Sequence, residues 1–116
     1  MKTIVILFSL IAISSTAFAQ SGVVTSQFKV YGNCTMCKKR IETALDHKGI
    51  KQASWDVKSK ELKVTYNSAR INEKQIHQLV ADAGHDTELV KAKDETYAGL
   101  PFCCLYRDGD SGHQHQ

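Results

Sequence analysis

From Gln27 to Lys91 the apolar residues change their spacing repeatedly, and the order of those changes restricts the fold more than any single residue does. Phe28 and Val30 alternate with Gln27, Lys29 and Tyr31, the pattern of a strand with one buried face. Gly32 and Asn33 end it. Cys37, Ile41, Ala44 and Leu45 fall at i, i+4, i+7 and i+8, and Gly49 follows as a stop, which predicts an amphipathic helix. Ala53, Trp55, Val57 and then Leu62, Val64, Tyr66 alternate with polar residues on either side of Lys58-Ser59-Lys60-Glu61. Two strands and a polar connection predict a hairpin, with Trp55 expected to face Tyr66. Asn72 as cap, Gln75 three residues on, and Ile71 with Ile76 as a staple open a second helix. Ile76, Leu79, Val80 and Ala83 are its expected buried stripe, and Gly84 its stop. Thr87 to Lys91 predicts a last strand.

The order strand, helix, strand, strand, helix, strand predicts an α+β domain of the ferredoxin-like βαββαβ kind, with a four-stranded antiparallel sheet and two helices on one face. In that arrangement the loop before the first helix, the hairpin at Lys58 to Glu61, and Gly84-His85-Asp86 share one end of the domain. The fourth strand would end at the opposite end.

Residues 1–19 do not fit this pattern. Lys2, a mostly apolar run from Ile4 to Ile13, and Ala17-Phe18-Ala19 have the layout of a secretory signal peptide cleaved after Ala19. The run is about half the ~20 apolar residues a membrane span needs, so the mature chain is expected to have no span and to be periplasmic or secreted. Removing the leader lowers the formal charge from +3 to +2, with the charges well mixed. Such a balance supports neither nucleic-acid nor lipid-surface binding. The chain carries no Ser-His-Asp set, paired carboxylate motif or phosphate-cradling glycine loop, and is read as a non-enzyme. Beyond the domain expected at 25–91, residues 92–116 form a C-terminal extension with a cysteine pair and a polar, histidine-containing end.

All four cysteines, Cys34, Cys37, Cys103 and Cys104, fall in the mature chain. In Asn33-Cys34-Thr35-Met36-Cys37, two thiols sit where a strand passes into a helix, and free amides and the helix dipole there favour thiolate. Lys38, Lys39 and Arg40 add positive charge. Two soft thiolates on a short loop suit two- or three-coordinate Cu(I) or another thiophilic ion such as Hg(II), and make a poor closed zinc site. Haem attachment would need a histidine at position 38, which is Lys. A thioredoxin-type pair would normally have a longer fold and a facing proline, whereas the only proline is Pro101. A structural disulfide is the remaining alternative for an exported chain, and the position of the pair in the βαββαβ pattern favours metal over it.

The stretch from Val30 to Leu45, VYGNCTMCKKRIETAL, resembles the metal loop and first helix of the heavy-metal-associated domains of copper chaperones, metal-exporting P-type ATPase tails and periplasmic mercury-binding proteins. The likeness runs through Gly49-Ile50, the Trp55-to-Tyr66 hairpin and Ala83-Gly84-His85. It departs before the first cysteine, where the family usually has Gly-Met-Thr or Gly-Met-His and this chain has Tyr31-Gly32-Asn33. The resemblance implies that Cys34 and Cys37 are the ligands and that the ion, Cu(I) foremost, is exchanged with a metal transporter or metal-accepting protein. A mercuric-ion carrier uses the same two thiols. A thiol-disulfide oxidoreductase, with Cys34-Cys37 exchanging with Cys103-Cys104, is the alternative of a different class.

Three further residues bear on the site. His85 shares the loop's end of the domain, and is either a third ligand, a group that stabilises the thiolates, or a solvent-facing loop histidine. Cys103 and Cys104 reach the loop only if residues 92–102 run back along the domain, for which about 36 Å of extended chain is available. Leu100 and Phe102 would then dock the tail and let the pair share the ion or form a disulfide with the loop pair. Otherwise the pair serves stability or links two chains. His113 and His115 could bind Cu(II) or Ni(II) loosely, Lys38 to Arg40 could face an acidic partner, and Met36 is expected to be at least partly exposed.

Overall fold

The computed structural model of the chain describes residues 22–108. The expected signal peptide and His113 and His115 lie outside the described residues. Strand β1 (Val23–Lys29) is followed by helix α1 (Thr35–Ala44), strands β2 (Ile50–Trp55) and β3 (Glu61–Asn67), helix α2 (Glu73–Asp82) and a short helix α3 (Asp94–Ala98). Two 3-10 turns, Phe102–Cys104 and Tyr106–Asp108, complete it. The sheet has order β1-β3-β2, antiparallel throughout.

Both helices cover one face, where Phe28, Trp55, Leu62, Val64 and Tyr66 meet Ile41, Leu45, Ile76 and Val80 in a single core. Burying each of these apolar side chains contributes about 1.5–3 kcal/mol. The register puts Phe28 and Trp55 on either side of Leu62, and Tyr66 opposite Ile50. Trp55 and Tyr66 are thus both core residues, but they do not face each other. Asp56 makes the hairpin turn, its carboxylate accepting from the Lys58 and Ser59 amides at 2.7 and 2.9 Å, with Lys60 in the left-handed region at φ 64°.

Helix α2 starts and stops where its residues dictate. The Gln75 amide donates to Asn72 at 2.8 Å and the Asn72 amide to the Gln75 side chain at 2.9 Å, a complete capping box. At the other end the Gly84 amide bonds the Ala81 carbonyl and the His85 amide the Val80 carbonyl, the Schellman arrangement, with Gly84 at φ 104°. Its buried face is Ile76, His77, Val80 and Ala81. Leu79 and Ala83 are only half-buried, so the stripe is rotated from the expected one to take in a histidine. His77 is fully buried, stacked on Phe28 at 3.7 Å between ring centroids and hydrogen-bonded to the Thr87 hydroxyl at 2.6 Å.

The expected fourth strand is absent among the described residues. Its place beside β1 is reduced to the Val30–Thr87 bridge with Tyr31 N–H to Asp86 O at 2.8 Å and Glu88 N–H to Lys29 O at 3.2 Å. The cause is local: the Thr87 amide donates to Val90 O, the Leu89 and Val90 amides donate to the Thr87 hydroxyl, and the Ala92 amide donates to Asp86. Donors that a strand would send across a ladder close a turn instead, and Leu89, 70% exposed, offers no inward residue. The chain therefore does not travel to the opposite end. It folds back at once, and Ala92, Tyr97, Leu100 and Cys104 are buried.

Gly84→Ala would hold an alanine at positive φ and bring its Cβ within 2.8 Å of the Leu100 side chain. Urea unfolding is expected to show a loss of about 1–3 kcal/mol, and equal stability would mean that the turn is not held in this conformation. Burial lowers the affinity of His77 and His85 for protons, against the pull of Glu73 and Glu88 on the first and of the Tyr31 carbonyl and Asp86 on the second. The unfolded chain then binds protons that the folded chain refuses as pH falls below about 6.5, so stability present above that pH is lost on acidification. The reduced, metal-free protein should have a lower urea midpoint at about pH 5 than at about pH 7.5, and His77→Leu should shrink the difference. A midpoint constant over that window would contradict neutral buried imidazoles.

Candidate metal centre

The loop carrying the first two cysteines is held from below and behind. Trp55 donates its indole N–H to Val30 O at 2.9 Å, and its ring lies where a Cβ on Gly32 would come within 3.0–3.1 Å. With no Cβ to crowd the ring, Gly32 lets the backbone pass close to it. The indole thus lies against the segment in which this chain lacks the usual methionine. His85, fully buried, hydrogen-bonds the Tyr31 carbonyl through Nδ1 at 2.8 Å. With its charging disfavoured by burial, the neutral ring donates Nδ1–H to that carbonyl, and it stacks on Tyr106 at 5.4 Å. The solvent-facing reading of His85 is thereby corrected. Its Nδ1 is committed to the chain segment leading into the loop, and it is not among the grouped thiols.

Cys34 is the N-cap of α1 and Cys37 lies in the first turn, 3.5 Å apart at sulfur. The Asn33 amide donates to Cys37 Sγ at 3.3 Å. Burial would push the Cys34 thiol up, but the Cys37 amide, hydrogen bonds with the Cys103 and Cys37 thiols, and the Met36 amide outweigh it, so partly exposed Cys34 is more acidic than an ordinary thiol.

The tail thiols meet this pair. Cys34 lies 3.2 Å from Cys103 and 3.9 Å from Cys104, and Cys37 lies 2.8 Å from Cys104, sulfur to sulfur. None of the four is in a disulfide. The sulfurs of Cys34, Cys37 and Cys104 all lie within 4.8 Å of one another. Cys37 and Cys104 are buried, and Cys103 is exposed, beside the half-exposed Met36, whose sulfur is 3.7 Å away. Cys103 is held in its protonated form first by its hydrogen bond with Cys34, and Cys104 by burial and by its hydrogen bond with Cys37.

An anchoring network missed from sequence brings the tail here. Leu100 packs over Gly84, whereas Phe102, the other expected anchor, is exposed. The Tyr106 hydroxyl donates to Gly84 O at 2.7 Å and accepts from the Asp86 amide at 2.6 Å. Arg107 grips Asp86 through two nitrogens at 2.7 and 3.0 Å, and also reaches Asp94 and the Ala92 carbonyl. Burial would raise the Asp86 carboxyl, but Arg107 and the Ala92 amide hold it below the usual carboxylate range. Lys38 is engaged with Glu42 and the Trp55 carbonyl rather than free for a partner.

Among the described residues no helix is long and apolar enough to cross a membrane. No curated protein matches the sequence. Solved structures do. The CopZ metallochaperone is 24% identical with a TM-score of 0.53, covering 55% of this chain and 98% of its own. Oxidized MerP from Ralstonia metallidurans CH34 is 20% identical with a TM-score of 0.55, covering 58% and 96%. A copper binding domain from a P-type ATPase is 26% identical with a TM-score of 0.53, covering 55% and 89%. The family model of the heavy-metal-associated domain matches residues 29–86, half of the chain, from the end of β1 through the cysteine loop to the turn after α2. The chain belongs to the heavy-metal-associated domain family.

Proposed function

We propose that this protein is an exported carrier of a soft metal ion, Cu(I) foremost, that takes up the ion on Cys34 and Cys37 and passes it to or from a metal transporter or metal-accepting protein. The observation that carries this reading is the pair of sulfurs 3.5 Å apart at the opening of α1, with the thiolate favoured at the partly exposed member. Of the loop pair, incoming ion meets Cys34 first, and binding displaces protons from the thiols that still hold them. Thiolate sulfur prefers Cu(I) among the common cellular ions. Two of the structural relatives are described as a metallochaperone and as a copper binding domain of a P-type ATPase, which supports both the ion and the kind of partner. The layout of residues 1–19 supports export, to the periplasm or beyond the cell.

Cys34→Ser/Cys37→Ser is expected to weaken Cu(I) binding, measured against a competing chelator, by more than about a hundredfold, roughly 2.8 kcal/mol. Affinity equal to that of the parent would sink the carrier reading. Protein purified anaerobically from its export compartment is expected to begin at Gln20 by mass and to contain copper with reduced thiols. Mercury in its place would assign the carrier to mercuric ion, and disulfides turning over without metal would make it an oxidoreductase.

A further inference from the structure

Carriage on two thiols leaves Cys103 and Cys104 without a part, although five of the six sulfur pairs in the group are separated by only 2.8–3.9 Å. Four sulfurs around one ion at ~2.3 Å each are about 3.8 Å apart. Cys34, Cys37 and Cys104 already lie within 4.8 Å of one another, and Cys103 adjoins them through Cys34 and Cys104, so loading has to widen the 2.8, 3.2 and 3.5 Å pairs and draw Cys103 toward Cys37. The tail is held on both sides of the pair. Upstream, Leu100 is seated over Gly84. Downstream, Tyr106 and Arg107 are bound to Gly84 and Asp86. The Cys104 amide closes a turn onto Pro101 O at 2.8 Å. Thiols held this way need little ordering when an ion arrives, which favours their use as ligands.

Exposure divides the group in two. Cys37 and Cys104 are fully buried and the two outer thiols, Cys34 and Cys103, reach the surface. We propose that the tail completes a four-thiol ion site, in which buried Cys37 and Cys104 retain the ion and outer Cys103 and Cys34 are the ligands an acceptor displaces. This rests on the carrier reading and adds to it the coordination and the direction of release. Such a site takes thiophilic ions that accept three or four sulfurs, trigonal Cu(I) and tetrahedral Zn(II) or Cd(II) alike. In the first exchange an acceptor thiol forms its bond to the ion as the bond to Cys103 breaks. The acceptor's proton passes to the departing Cys103 thiolate, and no electrons are transferred.

Cadmium-113 NMR of the reduced full chain with one equivalent of Cd(II) tests this, because the cadmium shift follows the number of bound sulfurs. The parent is expected to give a four-sulfur signal, Cys103→Ser a three-sulfur signal, and Cys103→Ser/Cys104→Ser a two-sulfur signal with Cd(II) affinity at least about tenfold lower. Cys103 is exposed, so its variant keeps the fold, and it is expected to surrender Cd(II) to a dithiol chelator faster than the parent. A parent signal and affinity unchanged by the double substitution would overturn the four-thiol site while leaving the carrier reading intact. Loss of that reading has a separate mark, full Cd(II) and Cu(I) affinity in Cys34→Ser/Cys37→Ser.

Discussion

The structure turns on Asp86. Its carboxylate receives two nitrogens of Arg107 and the Ala92 amide, its own amide donates to Tyr106, and its carbonyl accepts from Tyr31. One residue therefore ties the strand end before the cysteine loop to the turn after α2 and to the C-terminal tail. A bidentate guanidinium–carboxylate pair is geometrically specific as well as strong, and here both side chains are 16% exposed, so solvent screens it less than it would a surface pair. It adds to the buried tail residues Ala92, Tyr97, Leu100 and Cys104 and to the Tyr106 hydroxyl in holding the tail against the domain.

What the sequence makes legible is what local pattern controls. The capping box at Asn72 and Gln75, the glycine stop at Gly84 and the alternation of β3 all rest on neighbours in the chain, and all are present. The cysteine loop is legible for the same reason, since its place at a strand-to-helix junction follows from the periods on either side. What is not legible depends on distant partners. Arg107 sits in a segment with no periodicity, and nothing near it marks Asp86 as its partner. His77 reads as a polar residue on a helix, and its burial follows from Phe28 and Thr87. The lost fourth strand shows the limit of a short apolar run: Leu89 and Val90 fit a strand, but the Thr87 hydroxyl offered their amides a nearer acceptor.

The same contrast runs through the thiols. Cys34 and Cys37 differ although they share a loop, one partly exposed and favoured as thiolate, the other enclosed by the core. Cys103 and Cys104 are adjacent in sequence yet lie on opposite sides of the surface boundary, because a 3-10 turn directs successive side chains differently. Each pair of neighbouring cysteines thus supplies one thiol to an accessible edge and one to a protected interior.

Sixty-nine positions separate Cys34 from Cys103, and that separation orders events in time. A chain that emerges from its N-terminus presents Cys34 and Cys37 to the surroundings well before the tail arrives. The early chain can form α1 and the β2–β3 hairpin from local contacts, whereas the cluster of sulfurs joins segments 69 positions apart and waits for the tail. Arrival of the tail is therefore itself the event that converts an open pair of thiols into an enclosed group.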